Sequence, residues 1–235
     1  MGYLGEFIGT FVLMIFGAGV GASVNLEGAY AKASAKAGWI MIALGWGLAV
    51  MLGVYTAAYF GAPGHLNPAV TIAFAAGGII SWKIVPGYIL AQIVGAFLGA
   101  SVVALHFYPH FKKTKSDQGN TVAIFATVPA INNKLFNFIS EVVATFAFIL
   151  CLLTLGNFAE GLKPLVVGLL IVAIGFSLGS TTGYAINPAR DFGPRLAYAV
   201  LPIPNKGSAN WDYSWVPILG PIVGGLLAVF LVKIV

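Results

Sequence analysis

The chain reads HLNPAVT at residues 65–71 and YAINPARD at 184–191, so the tripeptide Asn-Pro-Ala occurs twice, each time within apolar sequence. A polar Asn and a Pro that interrupts helices are unwelcome in such a setting unless they have a task. Together they form a helix-start signal: Asn is among the best N-caps, and Pro is favoured at the first helical position, where its missing N–H costs nothing. The spacing predicts helices beginning at Asn67 and Asn187, one running from Pro68 to about Gly77 and one from Pro188 to about Ala199. At about 1.5 Å per residue each is roughly 15–18 Å long, half the depth of a bilayer's hydrocarbon core.

The surrounding sequence is that of a membrane protein. Of 235 residues, 59% are hydrophobic and only 8% charged, and the mean hydropathy of +0.94 lies far above that of soluble domains. A spanning helix needs about 20 apolar residues, and six stretches qualify: Tyr3–Val24, Gly38–Tyr59, Ile84–His106, Phe136–Gly156, Pro164–Ser180 and Ser214–Val235. The first is read as a retained helix, because it lacks a basic leader and carries Glu6. Cys151 is the only cysteine, which excludes an intramolecular disulfide and a cysteine metal cluster. The net charge of +5 is spread over loop lysines, so a nucleic-acid partner is not expected. No nucleophile–base pair or metal-ligand cluster accompanies the Asn-Pro-Ala boxes, and neither catalysis nor a metal or cofactor is expected.

Three anchors recur in the same order in the two halves. EFIGTF at 6–11 matches EVVATF at 141–146, NPAV at 67–70 matches NPAR at 187–190, and QIVG at 92–95 matches PIVG at 221–224. The chain therefore reads as a single membrane channel domain, 1–235, built from repeats of approximately 1–110 and 136–235. Each half holds three spans, an odd number, so the second starts on the opposite side of the membrane from the first. Such inverted repeats place a functional site on the pseudo-two-fold axis near the midplane. The connections Asn25–Ala37, Tyr108–Leu135, Asn157–Lys163 and Leu201–Tyr213 are too short to be domains. The apolar middle of Tyr108–Leu135 is expected to fold back against the helix ends.

Two half-helices entering from opposite sides would meet at their N-termini. Irregular backbone at that depth survives only when buried in protein or lining a water-filled cavity, which points to an internal pore. Each N-terminus carries about half a positive charge from the helix dipole, so the meeting point repels cations and protons. If each Asn carbonyl oxygen caps its own helix, its NH₂ remains as a donor for whatever passes. A water accepting from both Asn donors turns its hydrogens outward and interrupts a proton-relay chain.

At these residues the sequence closely resembles the major intrinsic protein family, the aquaporins and glycerol facilitators. The resemblance covers essentially the whole chain. It rests on both Asn-Pro-Ala boxes, the E-x-x-x-T-F motif opening each half, and Arg190 after the second box. It implies an all-α membrane fold of six transmembrane helices plus two re-entrant half-helices, a homotetramer with one pore per subunit, and a place in the cell membrane, here a bacterial plasma membrane. It also implies a constriction formed by Trp46, Gly175, Tyr184 and Arg190. Water-selective members usually carry a His in this set, whereas glycerol-conducting members resemble this one. Trp46 and Tyr184 would face a carbon backbone, Arg190 would donate to its hydroxyls, and Gly175 would supply room. Asp191, Arg195, Pro217 and Ile218 are further glycerol-channel traits. Tyr184 departs from the Phe of comparable glycerol channels, and its phenol oxygen either narrows the ring or adds a polar contact. The family's cytoplasmic termini would put Lys83, Lys163 and Lys233 inside and most other lysines outside, opposite to the positive-inside rule.

Glu6 and Glu141 are the carboxylates placed well inside spans, where charge is expensive. They read either as proton-coupling sites or, given their equivalent positions, as structural acceptors for backbone N–H groups of the re-entrant loops. His65 reads equally as a residue lining the inner half of the pore or as a loop hydrogen-bonding group. The function expected is a passive channel for glycerol and other small neutral solutes that also conducts water and excludes ions and protons. The resemblance extends this to uncharged lactic acid, hydrogen peroxide, urea and dihydroxyacetone. The competing readings are a water-selective channel, in which Tyr184 closes the ring, and a secondary transporter, which shares inverted repeats and broken helices.

Overall fold

The computed structural model describes residues 2–32, 35–115 and 121–234. Residues 116–120, in the polar part of the connection Tyr108–Leu135, lie outside them. Helix α1 spans Tyr3–Asn25, α2 Ala35–Tyr59, α3 Pro68–Ala76 and α4 Val85–His106, which a short 3₁₀ turn, Trp82–Ile84, introduces. Two short helices follow, α5 (Tyr108–Lys113) and α6 (Val122–Phe125). The second half supplies α7 (Lys134–Thr154), α8 (Lys163–Ser177), α9 (Pro188–Val200) and α10 (Trp215–Ile234). Among the described residues, α1, α2, α4, α7 and α10 are each long and apolar enough to cross a membrane, while α8 has 15 residues.

The shortness of α8 has a tertiary cause. The expected span ran to Ser180, but the helix ends at Ser177 with Leu178 as its C-cap. Beyond it the chain turns so that Thr182 and Ala185 can reach the carboxylate of Glu141, 2.7 and 3.0 Å away. Helix continuation would carry both groups past that carboxylate.

The packing follows the same plan in both halves. Helix α1 packs on α2 and α4, and α7 on α8 and α10; α4 packs on the half-helix α9, and α10 on the half-helix α3. In lipid there is no hydrophobic drive to bring helices together, so close backbone approach through small residues carries the contact. A Cβ built on Gly95 of α4 would stand 2.3 Å from the carbonyl oxygen of Phe7 in α1, and one on Gly224 of α10 would stand 2.3 Å from that of Val142 in α7. At both crossings glycine is required by the distance alone.

The two half-helices are capped at both ends. Asn67 and Asn187 hold the N-termini of α3 and α9 with Pro in the first turn. At the C-termini, Lys233 Nζ donates to the carbonyl of Ala76 at 2.8 Å, and Lys206 Nζ to those of Ala199 and Leu201 at 2.8 and 2.6 Å. A cation at the negative end of each dipole complements the Asn cap at the positive end. Helices this short would not persist in isolation.

Because the Gly95 and Gly224 crossings leave no space, Gly95→Leu and Gly224→Leu are expected to abolish a monodisperse folded protein on size-exclusion chromatography in detergent. Gly19→Ala, at a position where an added Cβ meets nothing within 4 Å, is expected to elute as the parent does.

Candidate functional site

The site begins with the two Asn-Pro-Ala boxes. Asn67 Oδ1 accepts from Ala69 N at 2.9 Å, and Asn187 Oδ1 accepts from Ala189 N and Arg190 N at 3.0 and 3.2 Å, so each side chain caps its own half-helix. The amide nitrogens cross over: Asn67 Nδ2 donates to the carbonyl of Ile186 at 2.7 Å, and Asn187 Nδ2 to that of Leu66 at 2.8 Å. This corrects the expectation that the whole NH₂ group is left for the pore. One hydrogen of each amide is committed to the opposite half, because a carbonyl buried at the midplane needs a donor, and one remains.

The loops entering the boxes are strained and held from behind. Leu66, Tyr184 and Ile186 have φ of 52, 36 and 43°, a left-handed backbone that costs non-glycine residues energy. Glu6 Oε1 accepts from His65 N at 2.8 Å, and its Oε2 from Leu66 N and Gln92 Nε2 at 2.7 and 2.8 Å. Glu141 Oε1 accepts from Thr182 Oγ1 and Ala185 N, and its Oε2 from Ile186 N at 2.9 Å. Each buried carboxylate thus receives three donors. A trans peptide points its C=O opposite to its N–H, so turning these N–H groups outward sends the carbonyls of Gly64, His65, Tyr184 and Ala185 the other way, toward the cavity.

That cavity is narrow at its centre, with a volume of about 40 Å³, room for only a few waters. Asn67, Asn187, His65, Trp46, Tyr184 and Arg190 all line it, against apolar walls from Leu13, Val50, Phe148 and Ile171. On one side it leads past Trp46, Tyr184 and Arg190 into a wider vestibule of about 350 Å³ that reaches Asn25, Trp39 and Thr127. On the other it leads past Val50, His65 and Phe148 into a space of about 240 Å³ that reaches Lys163.

Three of the four expected constriction residues meet on this path. The Arg190 guanidinium carbon lies 4.0 Å from the centroid of the Trp46 ring, and its Nη1 donates to the carbonyl of Phe125 at 3.0 Å. Gly175 stands behind them. A Cβ there would lie 3.0 Å from both Cζ and Oη of Tyr184, and one on Gly179 would lie 2.3 Å from Tyr184 Cδ1. The room left by Gly175 is taken up by the Tyr184 ring, which also meets Trp39 edge to face at 5.9 Å. The Tyr184 hydroxyl is sealed among these groups without a hydrogen-bond partner, so the ring, not the oxygen, forms the wall.

Behind Arg190 lies a buried ion pair. Asp191 accepts from Arg195 Nε at 2.8 Å and from the N and Oγ1 of Thr127, both at 2.7 Å. Arg195 donates in turn to the carbonyls of Thr127 and Ala209 at 3.0 and 2.7 Å. The pair fixes the Phe125–Thr127 segment whose carbonyl orients Arg190. Sequence reasoning assigned no role to Phe125, Thr127, Thr182, Thr71 or Gln92. Gln92 carried a signal, an amide inside a span at a repeated anchor, whereas Phe125 acts through its backbone and carried none.

A family model described as Major intrinsic protein matches residues 2–232. The chain is 58% identical to glycerol uptake facilitator protein 2 of Lactiplantibacillus plantarum, over 100% of this chain and 99% of that protein. It is 54% identical to the glycerol uptake facilitator protein of Bacillus subtilis, over 95% of this chain and 80% of that one. The X-ray structure of the aquaglyceroporin from Plasmodium falciparum superposes with a TM-score of 0.83 at 32% identity, over 97% of this chain and 93% of that one.

Both members of the Asp191–Arg195 pair have fully buried side chains. Removing one partner of such a pair costs about 3–5 kcal/mol, so Asp191→Ala is expected to lower the thermal unfolding midpoint in detergent markedly. The exposed pair of Lys134 and Asp212, 3.2 Å apart, provides the contrast: Lys134→Ala is expected to shift it little.

Proposed function

The chain belongs to the major intrinsic protein family and has its aquaporin-like fold, and on that premise we propose that it is a passive channel for glycerol and water. It is a multi-pass membrane protein and not an enzyme. The observation that carries the glycerol reading is the constriction itself: the rings of Trp46 and Tyr184 line the path together with Arg190, whose guanidinium is stacked on Trp46. A polyol has a carbon edge for the rings and hydroxyls for the guanidinium. Its oxygens then meet the remaining amide hydrogens of Asn67 and Asn187. Relatives named glycerol uptake facilitators support the same solute.

Ions are rejected on two grounds. The narrow centre has walls from Leu13, Val50, Phe148 and Ile171, which cannot replace an ion's water shell, and it carries the positive ends of two helix dipoles with Arg190 beside them. In this reading Glu6 and Glu141 are supports for the strained loops, since every donor they receive comes from the loops and their neighbours. The assignments of Trp46, Tyr184, Arg190, Asn67, Asn187 and His65 to the pore, of Gly175 and Asp191 to its support, and of Pro68 and Pro188 to the helix starts belong to this proposal. So do the single domain of two inverted repeats, the homotetramer and the bacterial plasma membrane.

The water-selective alternative needs the Tyr184 phenol to close the path, and the burial of that oxygen speaks against it. Proteoliposomes subjected to an osmotic jump are expected to show fast water efflux and, with glycerol as the solute, fast re-entry followed by light scattering. Tyr184→Phe is expected to leave glycerol flux within about twofold. A sharp rise in that variant would establish the water-selective reading.

Other compact neutral solutes, among them urea, dihydroxyacetone, hydrogen peroxide and uncharged lactic acid, fit the same physical rule. Only the protonated form of lactic acid is neutral, and its fraction grows as pH falls. Lactic acid flux is therefore expected to rise on acidification, measured by internal pH in the same vesicles. A flux independent of pH would remove it from the solutes.

A further inference from the structure

The first half of the pore contains a polar cluster of His65, Thr71 and Gln92, where the second half has Ala185, Asp191 and Pro221. Thr71 Oγ1 lies 3.1 Å from the carbonyl of Asn67, 3.0 Å from Gln92 Nε2 and 3.1 Å from His65 Nδ1. Gln92 Nε2 also donates to Glu6 Oε2 at 2.8 Å, so both its amide hydrogens are committed and it is a donor toward Thr71. A hydroxyl has one proton to give and two lone pairs.

The count of protons then decides the tautomer of His65. If the Thr71 proton goes to the Asn67 carbonyl, four residues back as helical threonines commonly direct it, Oγ1 accepts from Gln92 and keeps a lone pair for an Nδ1–H of His65. All three contacts are hydrogen bonds. If the proton goes to His65 Nδ1 instead, the Asn67 contact is lost and two remain. The extra bond in a buried network corresponds to about a fivefold preference or more.

The other ring nitrogen faces the path. The His65 ring is wedged edge to face between Phe74 at 5.1 Å and Tyr88 at 5.6 Å, and it lines both the narrow centre and the wider inner space. Among the described residues no group pairs with Nε2, and this atom is not one of the buried, unpartnered ones. We infer that His65 is held as its Nδ1–H tautomer by Thr71, and that its bare Nε2 is a specificity-determining acceptor for solute hydroxyl hydrogens beside the Asn67 and Asn187 donors.

A solute with both an oxygen acceptor and a hydroxyl hydrogen is satisfied from two directions at the narrowest point. Water and polyols meet that condition; a solute without an O–H or N–H hydrogen leaves Nε2 unpaired. The solute contact rests on the glycerol-channel reading above, while the tautomer does not.

The test uses the full-length channel in lipid bilayers with ¹⁵N-labelled histidine and solid-state NMR, the His65 signals being identified by their loss in His65→Asn. In glycerol-free buffer a pyrrole-type Nδ1 and a pyridine-type Nε2 are expected. The reverse pattern, or comparable populations of the two, overturns the tautomer assignment. In Thr71→Val the preference is expected to collapse toward a mixture, and its persistence overturns the role of Thr71. Added glycerol is expected to change the Nε2 signal as a polyol hydroxyl replaces water on it, while sucrose, too large to enter, leaves it in place. An unmoved Nε2 in vesicles that pass glycerol by light scattering overturns the solute contact alone. Absence of glycerol flux overturns the channel reading and the contact together, with the tautomer still decided by the glycerol-free spectrum.

Discussion

Everything in this molecule depends on satisfying two stretches of irregular backbone at the depth where a membrane offers no water. Each unpaired peptide group there costs several kcal/mol, and two chains of such groups converge at residues 64–66 and 184–186. Glu6 and Glu141 answer that requirement for the N–H groups, and Asn187 and Asn67 answer it for the carbonyls of Leu66 and Ile186. Because each Asn serves the opposite half, neither loop is complete without the other. The two half-helices are thereby tied at their tips as well as packed along their sides.

This arrangement turns a structural cost into selectivity. Facing the N–H groups outward to carboxylates leaves carbonyls toward the lumen, and directing two helix N-termini at one point leaves positive potential and amide donors at that point. The negative groups that compensate this charge, Glu6, Glu141 and Asp191, are completely buried away from it. A mobile cation meets the positive ends first, while a neutral solute meets hydrogen-bonding groups that replace its water. The same bonds that hold the loops set what they present.

The fold was legible in the sequence to the extent that it is local. The Asn-Pro pairs mark helix starts through capping chemistry, and the structure begins α3 and α9 at Pro68 and Pro188 as that chemistry requires. The apolar runs mark the spans to within three residues at each end; at α8 the helix stops three residues early because its end is set by a tertiary demand, the reach of Thr182 and Ala185 to Glu141. The site was less legible for the same reason. The crossed amide bonds of Asn67 and Asn187 join residues far apart in the chain. The Phe125 carbonyl that orients Arg190 has no side-chain signature. The burial of the Tyr184 hydroxyl depends on Gly175 and Gly179, which lie on another helix face and in the turn after it.

The two halves diverge where the pore needs two different ends. Counting from each Asn, Val70 corresponds to Arg190, Thr71 to Asp191 and Ala75 to Arg195, while the anchor Gln92 corresponds to Pro221. In the second half the charged set supports a loop over the vestibule and aims a guanidinium into the path. In the first half the same positions are neutral, and the place of the Asp191 carboxylate is taken by a threonine that bonds Gln92 and His65. Proline at 221 has no amide side chain to support Glu141, and Thr182 supplies the third donor from the loop instead. A common scaffold thus tolerates opposite chemistries at its two ends, because the groups that satisfy the midplane backbone, one Glu and one Asn per half, are the ones that do not change.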